Sequence, residues 1–148
     1  MKWISELEIG IPVIDSQHKR IVEYINQLEH ARQARSAQEV MDVLDELVDY
    51  TLSHFAFEES LMEEAGYPYL NAHKKVHQLF TRRVSGFMQR AKAGEDVTNE
   101  LLHVLKAWLI NHIKHDDRDY SEAVRINMEM TTGKVKARKG SWFSRLFG

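Results

Sequence analysis

Four stretches of this chain repeat residues at alternating steps of three and four, and that spacing constrains the fold more than any other feature. The first series is Ile14, His18, Ile21, Ile25 and Leu28. The second is Val40, Leu44, Leu47, Thr51, His54, Glu58 and Leu61. The third is Leu70, His73, His77, Phe80, Val84, Phe87 and Ala91, and the fourth is Leu101, Leu105, Trp108, His112 and His115. Steps of three and four keep residues on one face of an α-helix, so each series predicts one buried stripe. Two prolines and seven glycines in 148 residues leave few breakers. They fall usefully: Gly66 and Gly94 suit helix ends, and Pro68 suits a helix start. Asp15 or Ser16 can cap the first helix and Asp96 or Thr98 the fourth. The break near Arg35-Ser36 is poorly marked. Short connections between long helices favour antiparallel neighbours. The expected fold is therefore all-α, an up-down-up-down four-helix bundle. Residues 1–13 form an N-terminal arm without clear periodicity, residues 1–132 the bundle domain, and residues 133–148 a short basic and aromatic C-terminal tail.

The stripes are not purely apolar. The stretch 54–77, HFAFEESLMEEAGYPYLNAHKKVH, sets His54 four residues before Glu58 and His73 four before His77. A four-residue step turns about 40° past a full turn and climbs about 6 Å, so both members of each pair face inward. Antiparallel register then aligns the pairs. About the turn near Gly66, Glu58 lies level with His73 and His54 with His77. His18 starts the first helix at the same end, and His112 and Asp117 close the fourth. Asp117 is the exception by geometry, because a five-residue step turns it off the His112 direction. It would have to reach in from a fraying or tightening last turn. A single histidine on an apolar stripe is commonly a hydrogen-bonded core residue. Five histidines and two carboxylates at one level are another matter. Unpaired, each would cost several kcal/mol to bury, and metal ions satisfy all of them together.

The chain has no cysteine, which excludes thiolate zinc sites, iron–sulfur clusters and disulfides. Imidazole with carboxylate suits zinc, iron, copper or nickel. Zinc closes with about four ligands, too few for this set. Two octahedral irons want roughly twelve donor positions. Five imidazoles, two carboxylates that each touch both ions, and one bridging oxide or hydroxide supply all but one of them. The open position suits a small diatomic ligand.

The joint pattern resembles the hemerythrins, particularly the bacterial single-domain kind, over about residues 3–130. The matching residues are IDSQHK with His18, HFAFEE with His54 and Glu58, HKKVH with His73 and His77, and HIKHDDRDY with His112 and Asp117. The resemblance implies reversible O2 binding at a non-haem diiron centre. His73, His77 and His112 would hold one iron, His18 and His54 the other, with Glu58 and Asp117 bridging. Five neutral imidazoles favour binding over oxidation, since diiron oxygenases in bundles rely mainly on Glu with one His per iron. Phe55, Trp108, Leu109, Ile113 and Tyr120 lie within four residues of these positions and are expected to wall an O2 pocket. As ordinary core residues they would look the same. His30 and His103 read as surface residues, and His115 as exposed at the helix end.

The expected role is O2 storage, delivery or sensing without enzymatic turnover. The alternatives are a diiron enzyme acting on peroxide, nitric oxide or an organic substrate, and an oxygen- or iron-responsive interaction module. The net charge of −2 divides unevenly: residues 133–148 carry +5, leaving −7 for the rest. An acidic body argues against a nucleic-acid partner. In the tail, Lys134, Lys136, Arg138 and Lys139 precede Trp142, Phe143, Leu146 and Phe147. Such a segment, 134–147, suits weak contact with an anionic membrane surface or a partner protein, or plays no part at all. The expected location is cytoplasmic, with contact at the inner face of the membrane if the tail engages it. The N-terminus has no secretory pattern.

Overall fold

The computed structural model describes the backbone of residues 1–138 and the side chains of residues 1–130. Helix α1 spans Pro12–Gln33, α2 Ala37–Glu64 and α3 Leu70–Lys92. The fourth rod is continuous but composite: α4 covers Thr98–Asn111, a π-helical turn His112–Asp117, and α5 Arg118–Arg138. No strand occurs among the described residues. α1 packs on α2 and α4, and α2 packs on α3 and α5. This is the expected antiparallel four-helix bundle. α5 runs through residue 132, the expected end of the bundle domain, and residues 139–148 of the tail lie outside the described residues. No described helix is long and apolar enough to cross a membrane.

Each connection has a local cause. Gly66 and Gly94 take φ of +67° and +94°, left-handed values that end α2 and α3. Between α1 and α2, Arg35 takes φ +54° and Ser36 caps α2, its hydroxyl accepting the Glu39 N–H at 3.2 Å. The break that the sequence marks poorly is thus built by a non-glycine left-handed residue and a serine cap. α1 starts differently from expectation. Pro12 opens it after Ile11, and Asp15 points back to accept the N–H groups of Ile9 at 2.8 Å and Gly10 at 3.3 Å. Asp96 acts similarly, accepting the Thr98 N–H at 3.2 Å ahead of α4. Pro68 precedes α3, which begins at Leu70.

The predicted stripes form most of the core, with Val40, Leu70, Ala91 and Trp108 half-buried at its margin and His115 exposed. Ile14, Ile25, Leu28, Leu44 and Leu101 are all 0% exposed. Leu44 faces the end of the bundle remote from the histidines. Leu44→Ala should lower the unfolding free energy by about 2–5 kcal/mol, the range for a truncated core leucine. Urea titration checks it, and a loss under about 1 kcal/mol would mean the stripe is loosely packed.

The N-terminal arm packs down although it follows no single regular period. Leu7, Ile9 and Ile11 are all buried, with Leu7 in a 3-10 turn and Gly10 at φ +86° between the two isoleucines. The Met1 amino group donates to Asn26 Oδ1 at 2.7 Å, and Arg118 donates to the carbonyls of Glu6 at 2.7 Å and Glu8 at 3.3 Å. The 3-10 turn Ser5–Leu7 contacts the π turn, so the arm covers the bundle at the height of His112–Asp117.

Candidate metal centre

The bundle brings all seven predicted ligand residues together. His18 comes from α1, His54 and Glu58 from α2, His73 and His77 from α3, and His112 and Asp117 from the two ends of the π turn. All seven are buried, with His18, Glu58 and Asp117 at 0% exposure. Every imidazole turns Nε2 inward. His18 Nε2 lies 3.0 Å from Asp117 Oδ2 and 3.7 Å from Glu58 Oε1. His54 Nε2 abuts Glu58 Oε1. His73 Nε2 lies 3.2 Å from Asp117 Oδ1 and 3.7 Å from Glu58 Oε2. His112 Nε2 is 2.9 Å from Asp117 Oδ1 and 3.1 Å from His77 Nε2.

Asp117 reaches the centre by a route opposite to the expected one. In an α-helix a five-residue step overshoots a full turn by about 140°. The π turn closes its hydrogen bonds over five residues instead of four, returning residue 117 to the face of residue 112. The backbone widens here, where fraying or tightening was expected. Nor is Asp117 at a helix end, since the rod continues as α5.

Electrostatically the cluster is a ring of basic rings around two acids. Burial disfavours charge on His18, but Asp117 and Glu58 outweigh it and lift its pKa to about 9. The same balance raises His73 to about 9, and His112, where Asp117 is the leading partner, to about 10. His77, with burial dominant and other imidazoles beside it, falls to about 3. Burial favours a neutral Glu58, yet His54 and the neighbouring imidazoles hold it well below the usual carboxylate range. Burial and Glu58 oppose charge on Asp117, and His112 and His18 overcome both, bringing it to about 2. Even so, both oxygens of Glu58 and of Asp117 and the Nε2 atoms of His18, His54 and His73 are buried without a hydrogen bond. Buried polar atoms are nearly always paired. So many orphans at one point fit a cation in place of the missing donors.

The donors fall into two overlapping groups. Glu58, His73, His77, His112 and Asp117 offer ligand atoms that all lie within 4.8 Å of one another, and so do His18, His54, Glu58 and Asp117. Glu58 and Asp117 belong to both. The shape is that of two metal positions sharing two carboxylates.

A model of the hemerythrin HHE cation binding domain matches residues 9–124. The chain belongs to the hemerythrin family. It is 54% identical over 144 residues to the bacteriohemerythrin of Pseudomonas aeruginosa, covering 97% of this chain and 92% of that one. Identity to the bacteriohemerythrin of Stenotrophomonas maltophilia is 47% over 143 residues, with the same coverages. The crystal structure of wild-type hemerythrin matches with a TM-score of 0.80 at 29% identity, over 84% of this chain and 97% of that chain.

Around this hemerythrin-type centre the five expected pocket residues are placed unequally. Phe55, Leu109, Ile113 and Tyr120 are fully or almost fully buried, while Trp108 is half-buried. Phe55 stacks on His77 with centroids 3.8 Å apart, Trp108 stacks on His112 at 4.4 Å, and Tyr120 meets His73 edge-on at 5.4 Å. Burial and the carboxylates of Glu58 and Asp117 hold the Tyr120 hydroxyl well above its ordinary pKa, so it stays protonated. His30, His103 and His115 are exposed, away from the centre.

Two residues outside the predicted set touch the imidazoles from behind. Gln17 Oε1 lies 2.6 Å from His54 Nδ1, and Asp116 Oδ2 lies 3.0 Å from His112 Nδ1. Each immediately precedes a predicted residue in sequence, His18 and Asp117. Adjacency says nothing of which ring they reach, because Gln17 crosses to another helix and Asp116 depends on the π turn.

Proposed function

We propose that this protein binds O2 reversibly at a pair of iron ions. His73, His77 and His112 would hold one iron and His18 and His54 the other, with Glu58 and Asp117 shared between them. The sharing of both carboxylates by two donor groups carries this reading. One donor group has three imidazoles and the other two, so the two-histidine position would be the one with room for O2. When bound, the iron pair supplies the two electrons that reversible O2 binding requires.

The residues of this chain do the rest. The imidazoles converge from four helical segments, so bundle packing would set where both ions sit. Phe55, Leu109, Ile113 and Tyr120 line the buried volume around them and keep water and protons out, which slows irreversible oxidation. The neutral Tyr120 hydroxyl adds no charge beside the bridging acids. The set is rich in neutral donors and holds few anionic ones, which favours releasing O2 over activating it. Storage, delivery and sensing are all consistent with such a site.

Iron analysis of anaerobically purified protein, followed by optical spectra before and after air, tests the reading. Two irons per chain and an air-dependent visible band that fades on deoxygenation are expected. Fewer than two irons after reconstitution, or a band that never reverses, would overturn it. Steady turnover with an electron donor would point to a diiron enzyme instead.

A further inference from the structure

A histidine that gives Nε2 to a metal turns Nδ1 outward, and the group that Nδ1 meets sets the ring's orientation and its strength as a donor. The imidazoles of this centre differ in that group. His112 Nδ1 meets the carboxylate of Asp116 at 3.0 Å. His54 Nδ1 meets the neutral amide oxygen of Gln17 at 2.6 Å. His77 Nδ1 is 3.8 Å from Glu59 Oε2, beyond hydrogen-bond reach. His18 Nδ1 is buried without a hydrogen bond. The three-histidine side is thus backed by a carboxylate, and the two-histidine side by an amide alone.

The π turn makes this possible. Residues 116 and 117 are adjacent in sequence, yet they engage opposite nitrogens of one ring. Asp117 lies 2.9 Å from His112 Nε2 while Asp116 takes Nδ1. Trp108 stacks on the same ring with planes 16° apart. No other imidazole of the cluster is held at both nitrogens and on a face by contacts of this kind among the described residues.

We propose that Asp116 is a positioning residue for the three-histidine metal position, and that its charge, set against the neutral Gln17, makes that position the tighter of the two. The proposal rests on the diiron reading above. A carboxylate accepting from Nδ1–H pushes electron density toward Nε2 more than an amide oxygen does, and it resists rotation of the ring. Removing such a partner typically costs 10- to 100-fold in metal affinity. Asp116 is partly exposed, with 38% of its side chain accessible, so solvent screening places the effect near the lower figure, about tenfold.

The test is anaerobic transfer of iron from the loaded full-length protein to an excess ferrous chelator, followed by absorbance. The wild type should release its iron in two phases of one ion each. Asp116→Asn keeps the shape and removes the charge, and should speed the slow phase about tenfold while leaving the fast phase unchanged. Gln17→Glu places a carboxylate behind His54 and should slow the fast phase. A change in thermal midpoint without this split would indicate a merely structural role and overturn the proposal. So would wild-type release in a single phase, or both substitutions acting on the same phase. Fewer than two irons in the wild type would instead remove the diiron reading itself, and the proposal with it.

Discussion

On the proposed diiron reading, replacing Glu58 with alanine should abolish the air-dependent band and reduce the iron content from two per chain to one at most. Glu58 is 0% exposed, both of its oxygens lack a hydrogen bond, and it stands in both donor groups. Its loss therefore removes a ligand from each position at once, unlike the loss of any single histidine. Its loss would leave Asp117 as the one carboxylate shared by both groups. Iron analysis and a visible spectrum of the aerated variant check the outcome, with circular dichroism to establish that the bundle has formed. A folded Glu58→Ala protein that still carries two irons and the reversible band would refute the bridging assignment. Asp117→Ala should behave in the same way. His18→Ala and His54→Ala, by contrast, should spare the three-histidine iron.

Chelating the iron should lower the melting temperature by on the order of 10 °C. A ligand that binds only the folded state at about 1,000 times its Kd stabilises by about 4 kcal/mol. In a domain of this size each kcal/mol moves the midpoint by about 2–4 °C. The structural cause is visible at the centre. Without a cation, the inward oxygens of Glu58 and Asp117 and the Nε2 atoms of three histidines are buried without a hydrogen bond. Scanning calorimetry of the loaded and the chelated protein measures the difference, and refilling with ferrous iron should restore it. Midpoints within about 2 °C of each other would show that the fold is indifferent to its cargo.

Much of this was legible in the residues alone, for identifiable reasons. The stripes on α1 to α4 follow from the steps of three and four. The helix ends follow where a left-handed residue was glycine, as at Gly66 and Gly94. At Arg35 the same conformation is adopted by a residue with no such preference, so that break was faint. The convergence of His18, His54, Glu58, His73, His77 and His112 needed only helical periodicity and antiparallel register. Asp117 needed more. α-Helical spacing turns it away from His112, and nothing in HIKHDD declares that the turn widens. The continuation of α5 was hidden for a related reason. Arg118 and Asp119 interrupt the apolar series, and the buried positions Tyr120 and Val124 resume in a phase set by the extra residue. The arm's anchoring leaves little mark in the sequence, because three buried apolar residues spread across a 3-10 turn and a left-handed glycine repeat at no fixed period. Gln17 and Asp116 carry no signal of their own, since their partners are chosen by tertiary packing and by the π turn.

That turn also has a consequence for which changes this chain can absorb. Lys114 and His115 lie on its outer side and are exposed, so other helix formers could replace either without disturbing what lies inside. A deletion there would act differently from a substitution. Losing either residue would leave Asp117 four positions after His112, a step that an ordinary helix already turns to one face. The wide turn would relax to α-helix with the later side chains of the rod still in phase. The turn is thus a local surplus of one residue, absorbed without displacing the rest of the rod, and removing it would alter the spacing of Asp116 and Asp117 to His112 alone.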